Sequence, residues 1–295
     1  MRRLLLAVVL SAAWALPAGA QDVARLSGTL AKIRASGTIV LGVRDSAMPF
    51  SYRLPDGSPA GYAVALCQEL VDDVSAELDN QPVGIVYRTV TAEDRIDRVV
   101  SGDVDIECGS TTRTKQRQER VAFSPVFFVA GTRLLVSRAS PIQSYRDLGG
   151  RTVVVTSGTT NEAAMRELVD RLAVHATIVT APDHSESFAM LRAGKADAFA
   201  TDDVLLAALA ATPAGEGYHV VGNFLSYEPY GLMYRKDDPA FAAVVERSFR
   251  RMAEAGGLSE LYARWLMQRL PTGETLNMPM SVELAEMFRM LGQPD

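Results

Sequence analysis

The sequence predicts an α/β protein of two lobes, each a mainly parallel sheet flanked by helices. Short apolar strand-like runs alternate with amphipathic helical stretches from residue 38 to 221. Two extended segments, 126–136 and 230–235, break that alternation and read as strands crossing between the lobes. A chain of 295 residues is long enough for two cores. The expected division is a leader at 1–20, lobe one at 21–130 with 230–295, and lobe two at 131–229.

The leader has the three parts of a signal peptide. Arg2 and Arg3 form its charged start, residues 4–16 its apolar run, and Ala18-Gly19-Ala20 its small-residue cleavage site. Its 13 apolar residues are too few to span a bilayer comfortably. No cysteine follows Ala20, so no lipid anchor is expected there. Cleavage after Ala20 takes the formal charge from −5 to −7. A mildly acidic body argues against nucleic acid as a partner, and any basic site has to be local. The three histidines are scattered, which gives no metal-site spacing, and no cofactor is expected.

Lobe one opens on the apolar strand 38–43, followed by Arg44-Asp45-Ser46. A Pro/Asp/Gly/Ser turn at 55–59 leads to a helix over 62–78 whose apolar face carries Val64, Cys67, Val71, Val74 and Leu78. Residues 84–90 form a second strand. Thr91 and Asp94 have capping-box spacing at the start of the next helix, which Gly102 closes. The strand at 104–108 then runs into Gly109-Ser110-Thr111-Thr112, with Arg117 five residues on. Two cysteines in an exported chain suggest one disulfide, Cys67–Cys108, provided helix and strand pack side by side; two buried thiols are the alternative.

Lobe two repeats the logic. A strand at 152–155 meets the turn 156–160, and a helix with Met165, Leu168, Val169 and Leu172 inward follows. After the strand 177–180, Asp183 and Glu186 frame a helix closed by Gly194. The strand 196–200 ends at Thr201-Asp202-Asp203, before a helix to 211 and a strand at 218–221. Helices near 238–255, 258–268 and 281–291 finish the chain.

The polar candidates share one location. Arg44, Ser110, Thr112, Thr160 and Asp202 lie just past strand carboxyl ends, and Arg95 and His184 lie in the first turns of helices that follow strands. That edge of an open α/β sheet is where ligands bind. A guanidinium grips a carboxylate with two parallel hydrogen bonds, and an aspartate pairs an ammonium. Three arginines, Arg44, Arg95 and Arg117, against one aspartate leave positive charge for a second acidic group. Each residue also has a plainer reading. Arg44 pairs Asp45, Arg95 pairs Asp94 or Asp97, Arg117 belongs to a solvated basic face, and Thr160 and Asp202 cap helices. Phe50 and Tyr52 suit a ligand wall and a core equally.

The ordered set Gly42–Ser46 with Pro49–Tyr52, Glu107–Thr112 with Arg117, Val153–Thr160, Asp183-His184 with Ser187-Phe188, and Asp202-Asp203 resembles the periplasmic solute-binding proteins for polar amino acids that serve ABC importers. Within that family it looks most like the binders of glutamate and aspartate. The resemblance covers nearly the whole mature chain and implies the two-lobed periplasmic-binding-protein fold. It implies a monomer that closes over an amino acid and docks on inner-membrane permease subunits. By position, Arg117 with Thr112 and Thr160 would hold the α-carboxylate. Asp202 with Ser110 would hold the α-ammonium. Arg44, Arg95 and His184 would surround the side-chain carboxylate. Ala92 stands where the family commonly has serine, which removes one hydroxyl near that carboxylate. Two rivals share the fold: an exported dehydratase acting on cyclic carboxylates, and a soluble amino-acid sensor. Neither a catalytic triad nor a carboxylate pair stands out, and Glu107 is expected to point away from the cleft.

Overall fold

The computed structural model describes residues 26–293, so the expected leader lies outside the described residues. Two five-stranded sheets dominate. The first runs in the order Gly84–Thr89, Thr38–Val43, Ile106–Glu107, Met233–Arg235, Val121–Phe123. The second runs Thr177–Ala181, Thr152–Thr156, Ala198–Asp202, Thr132–Ser137, Tyr218–Val221. The two orders correspond. In each, the strand in second place pairs parallel with both neighbours. In each, the fourth strand is antiparallel to both of its neighbours. That fourth strand is the one that arrives from the other lobe.

The crossing segments are shorter than the sequence suggests. The run 126–136 splits into Phe128–Ala130 and Thr132–Ser137, with Gly131 between. A Cβ on Gly131 would lie 2.7 Å from the backbone oxygen of Ser226, so the close approach of the second crossing requires glycine. The expected strand 230–235 likewise divides into Glu228–Tyr230 and Met233–Arg235. Phe128–Ala130 and Glu228–Tyr230 pair antiparallel as a two-stranded ribbon between the sheets.

Two other features depart from the sequence reading. A helix at Gly28–Ser36, buried through Leu30 and Ile33, precedes the first strand. The strand placed at 196–200 is Ala198–Asp202, two residues further on, because its partner Thr132–Ser137 registers Thr132 against Asp202. The capping signals behave as their spacing implies. Thr91 and Asp94 exchange backbone-to-side-chain bonds of 2.7 and 3.0 Å, and Asp183 accepts from the Glu186 amide at 2.9 Å.

The larger core packs the helix Tyr62–Glu77 against Pro239–Glu254, with Leu66, Leu70 and Val74 of the first and Phe241, Val245 and Phe249 of the second all buried in it. Lobe two has a buried cluster on each face of its sheet. Phe50 and Tyr52 belong to the core. Phe50 packs edge-on to Phe128 and Tyr230 at 4.9 and 5.1 Å, and Tyr52 packs against Trp265.

Cys67 and Cys108 form a disulfide, with Cα atoms 6.2 Å apart, tying the helix to the strand that precedes the Ser-Thr-Thr loop. It closes a loop of 41 residues, for which the chain-entropy argument gives about 3–4 kcal/mol. Reduction should therefore lower the unfolding free energy by about that amount, read from urea melts with and without reductant. Unchanged melts would show that the bond contributes nothing to stability.

Candidate functional site

The carboxyl edges of the two sheets face one another across the ribbon around a small cavity. Its lining is wholly polar: Arg44, Arg95, Ser110, Thr112, Thr159, Thr160, Asn161, His184 and Asp202. Seven of the eight residues singled out in the sequence are among them. The eighth, Arg117, lies alongside, only 9% exposed. It donates to the Thr112 carbonyl at 2.9 Å and reaches the Gly158 carbonyl of the opposite lobe at 3.5 Å.

The lobes touch at this point. A Cβ on Gly158 would stand 2.8 Å from the Glu93 Cα, so glycine is needed for the approach as well as for its φ of +73°. Ala92, the expected departure from the family, is buried at this same contact, its carbonyl 3.0 Å from that Cβ position.

Most of the plainer alternatives do not describe what these side chains do. Asp45 pairs Arg53 at 2.7 Å, leaving Arg44 to turn inward. Asp94 and Asp97 pair Arg98 and Arg120. Arg95 is buried and donates to the Thr111 hydroxyl at 2.7 Å. Thr159, not Thr160, caps the helix Thr160–Leu172 through the Glu162 amide. Asp202 occupies a cap position without capping. Its carboxylate accepts from Asn161 Nδ2 at 2.8 Å and from the Tyr230 hydroxyl.

At one end of the cavity sits Arg44, 1% exposed, with both terminal nitrogens buried and unpaired. Arg95 Nε is likewise unpaired. Burial and the neighbouring Arg95 pull the Arg44 guanidinium down to about 10, against the opposing pull of Glu107; it stays charged at neutral pH. His184 lies beside them, its Nδ1 2.8 Å from Thr156 Oγ1. Burial, then Arg44 and Arg95, hold its pKa well below the usual histidine range, so the ring is neutral.

The charge balance differs from the one read in the sequence. Glu107 is fully buried and lies outside the cavity lining, as expected, but it accepts from the Thr111 hydroxyl at 2.7 Å and so braces the arginines from behind. Glu228, 3% exposed, enters from the ribbon and accepts from Thr112 at 2.6 Å and Thr160 at 2.7 Å. Three carboxylates therefore accompany three arginines. The balance is even: the Arg44 terminal nitrogens are unpaired, while Asp202 and Glu228 lie near one another and within electrostatic reach of Arg117.

The sequence reading missed Thr159, Asn161 and Glu228. The first two lie in the same Ser-Gly-Thr-Thr-Asn turn as Thr160, where any residue at the strand end deserved equal weight. Glu228 follows no strand-end motif, being itself a strand residue.

The profile of the bacterial extracellular solute-binding proteins, family 3, matches residues 39–268. The chain belongs to that family. It is 41% identical over 266 residues to the L-glutamate/L-aspartate-binding protein of Pseudomonas aeruginosa, covering 89% of this chain and 88% of that one. It is 35% identical to the glutamate/aspartate import solute-binding protein of Escherichia coli, covering 97% and 94%. Among solved structures, an ancestral amino-acid-binding protein, a precursor of cyclohexadienyl dehydratase, aligns with a TM-score of 0.70 at 29% identity, covering 81% and 99%.

Burial, with Glu228 adding to it, lifts the Asp202 carboxyl to about 7. The folded protein thus holds a proton that the unfolded chain loses near pH 4. The contribution is complete below about pH 4 and is lost as pH rises through about 7. Asp202→Asn should match the wild type near pH 4 and be the more stable protein near pH 8, without added amino acid. Urea melts at both pH values check this; an Asn variant that loses stability near pH 8 contradicts the burial cost.

Proposed function

We propose that this protein captures an acidic amino acid, glutamate or aspartate, between its lobes in the periplasm and delivers it to the permease of an ABC importer. One observation carries the reading. A wholly polar cavity is lined both by Arg44, a buried guanidinium with its terminal nitrogens unpaired, and by the Asp202 carboxyl, with Arg117 buried alongside. An amino acid with an acidic side chain supplies both missing partners. Its ammonium meets Asp202, with Ser110 beside it. Its α-carboxylate meets Arg117 and the free N–H groups that begin the helix Thr160–Leu172. Its side-chain carboxylate meets Arg44 and Arg95, with neutral His184 alongside. The two relatives whose names specify glutamate and aspartate support the same ligand class.

Neither lobe alone completes these contacts. Residues 21–130 with 230–295 form one half of the jaw and 131–229 the other. They close by flexing about the paired crossing strands, and the ligand favours closure because only the closed form makes both sets of bonds. The closed monomer is what the permease recognises. Export through a signal peptide cleaved after Ala20 places it there.

The protein acts as a carrier rather than an enzyme. Asp202, whose carboxyl is raised to about 7, is already engaged by Asn161 and Tyr230. A guanidinium-rich pocket stabilises a bound anion without supplying a base.

Calorimetry with glutamate, aspartate, glutamine and asparagine tests the ligand class. Glutamate and aspartate should bind, and the amides should bind at least tenfold more weakly. Each charge-assisted hydrogen bond lost costs about 1.5–3 kcal/mol, so Arg44→Ala should weaken the acids by about 10- to 100-fold or more. Equal binding of glutamine would remove the acidic assignment.

A further inference from the structure

Glu228 touches no charged partner, yet it is buried beside the cavity and takes hydrogen bonds from both lobes through a single oxygen. A threonine hydroxyl has one proton to give. The short bonds from Thr112 and Thr160 run to a carboxylate, the stronger kind of acceptor available to them. With both protons committed there, neither hydroxyl donates to the other across their 3.2 Å separation. Each oxygen then offers the cavity a lone pair and nothing else.

We infer that Glu228 is a positioning residue: it fixes the Thr112 and Thr160 hydroxyls as acceptors, so that they read the α-ammonium of the ligand and not its α-carboxylate. The inference rests on the amino-acid reading above and moves to the ammonium two side chains, Thr112 and Thr160, that the family resemblance implied for the α-carboxylate. An ammonium brings three N–H donors. Each Asp202 oxygen already accepts one bond, from Asn161 and from Tyr230, so the geometry left for the ammonium at Asp202 is restricted and its remaining N–H groups need acceptors elsewhere. The two threonine oxygens supply them. Glu228 also adds a second negative charge near Asp202, where Arg117 offsets part of the repulsion and a ligand cation would offset more. Selection of an amino acid over the corresponding dicarboxylic acid therefore depends on a residue that makes no direct contact with the ligand.

Glutarate separates the two possibilities, because it has both carboxylates of glutamate and no ammonium. Glu228→Met removes the acceptor at similar length, and Thr112→Val removes one hydroxyl at similar shape. Each should weaken glutamate at least tenfold and change glutarate less than threefold, measured by calorimetry or by competition. The double variant should lose little more than either single one. Equal losses for both ligands, or no loss for glutamate, would overturn the role of Glu228. A neutron structure with glutamate bound reads the protons directly: both hydroxyl deuterons should face Glu228, and one facing the ligand carboxylate would refute the inference. A wild type that takes glutamate no better than glutarate would sink the amino-acid reading itself. A wild type that prefers glutamate while Glu228→Met is unaffected would sink only this inference.

Discussion

Arg44 is held in the interior with its two terminal nitrogens unpaired, and much of the site is arranged around that fact. An unpaired charge away from water costs several kcal/mol, so the fold has to hold it in place by other means. The strand Thr38–Val43 delivers it to the sheet edge. The Ser51 hydroxyl accepts its backbone N–H at 2.8 Å, fixing the turn that aims the side chain inward. Glu107 supplies opposing charge from below without filling the hydrogen bonds above. The guanidinium is thus kept charged but unsatisfied, which is the condition under which an incoming anion gains most. Pairing it internally would give a more stable protein and a poorer trap.

The ribbon between the lobes does more than connect them. Its strand Glu228–Tyr230 places alternate side chains on one face, because side chains in a strand repeat every two residues. Glu228 reaches Thr112 of one lobe and Thr160 of the other, while Tyr230 reaches Asp202. Tyr230 is also packed against Phe50 and Phe128, so the hydrogen bond to Asp202 is anchored in the aromatic core of lobe one. Bending the ribbon moves the acceptor of both threonines and the donor to Asp202 together. The ribbon and the Asp202 side of the cavity are mechanically one unit.

The alternation of strands and helices was legible because each strand is a short apolar run with a turn at its end. The strand ends in turn made Arg44, Ser110, Thr112, Thr160 and Asp202 legible, since their place in the sheet follows from counting along the chain. What stayed hidden depends on contacts between distant segments. Glu228 reads locally as one acidic residue between Tyr227 and Pro229, and its burial comes from partners 116 and 68 residues away. The extended runs 126–136 and 230–235 looked continuous because nothing local to Gly131 or Gly231 reveals which segments press against them. The helix Gly28–Ser36 does carry a local signal, with Leu30 and Ile33 at helical spacing and Gly37 as a left-handed cap. The charge count failed for the same reason as Glu228: a count over strand-end residues omits groups that enter from behind or from the hinge.

The buried Glu107 and Glu228 bear on how specificity arises here. A net positive pocket would attract any anion and hold dicarboxylates as well as amino acids. A neutral pocket with its charges separated to opposite ends selects for a ligand with the same separation. On the reading proposed above, Arg44 and Arg95 together with Asp202 would discriminate by arrangement, because a singly charged ligand leaves a buried group unpaired. Glu107 and Glu228 remove the indiscriminate part of the attraction and leave the directional part. Discrimination then follows from where the unpaired donors and acceptors lie, and the sum of the charges becomes nearly irrelevant.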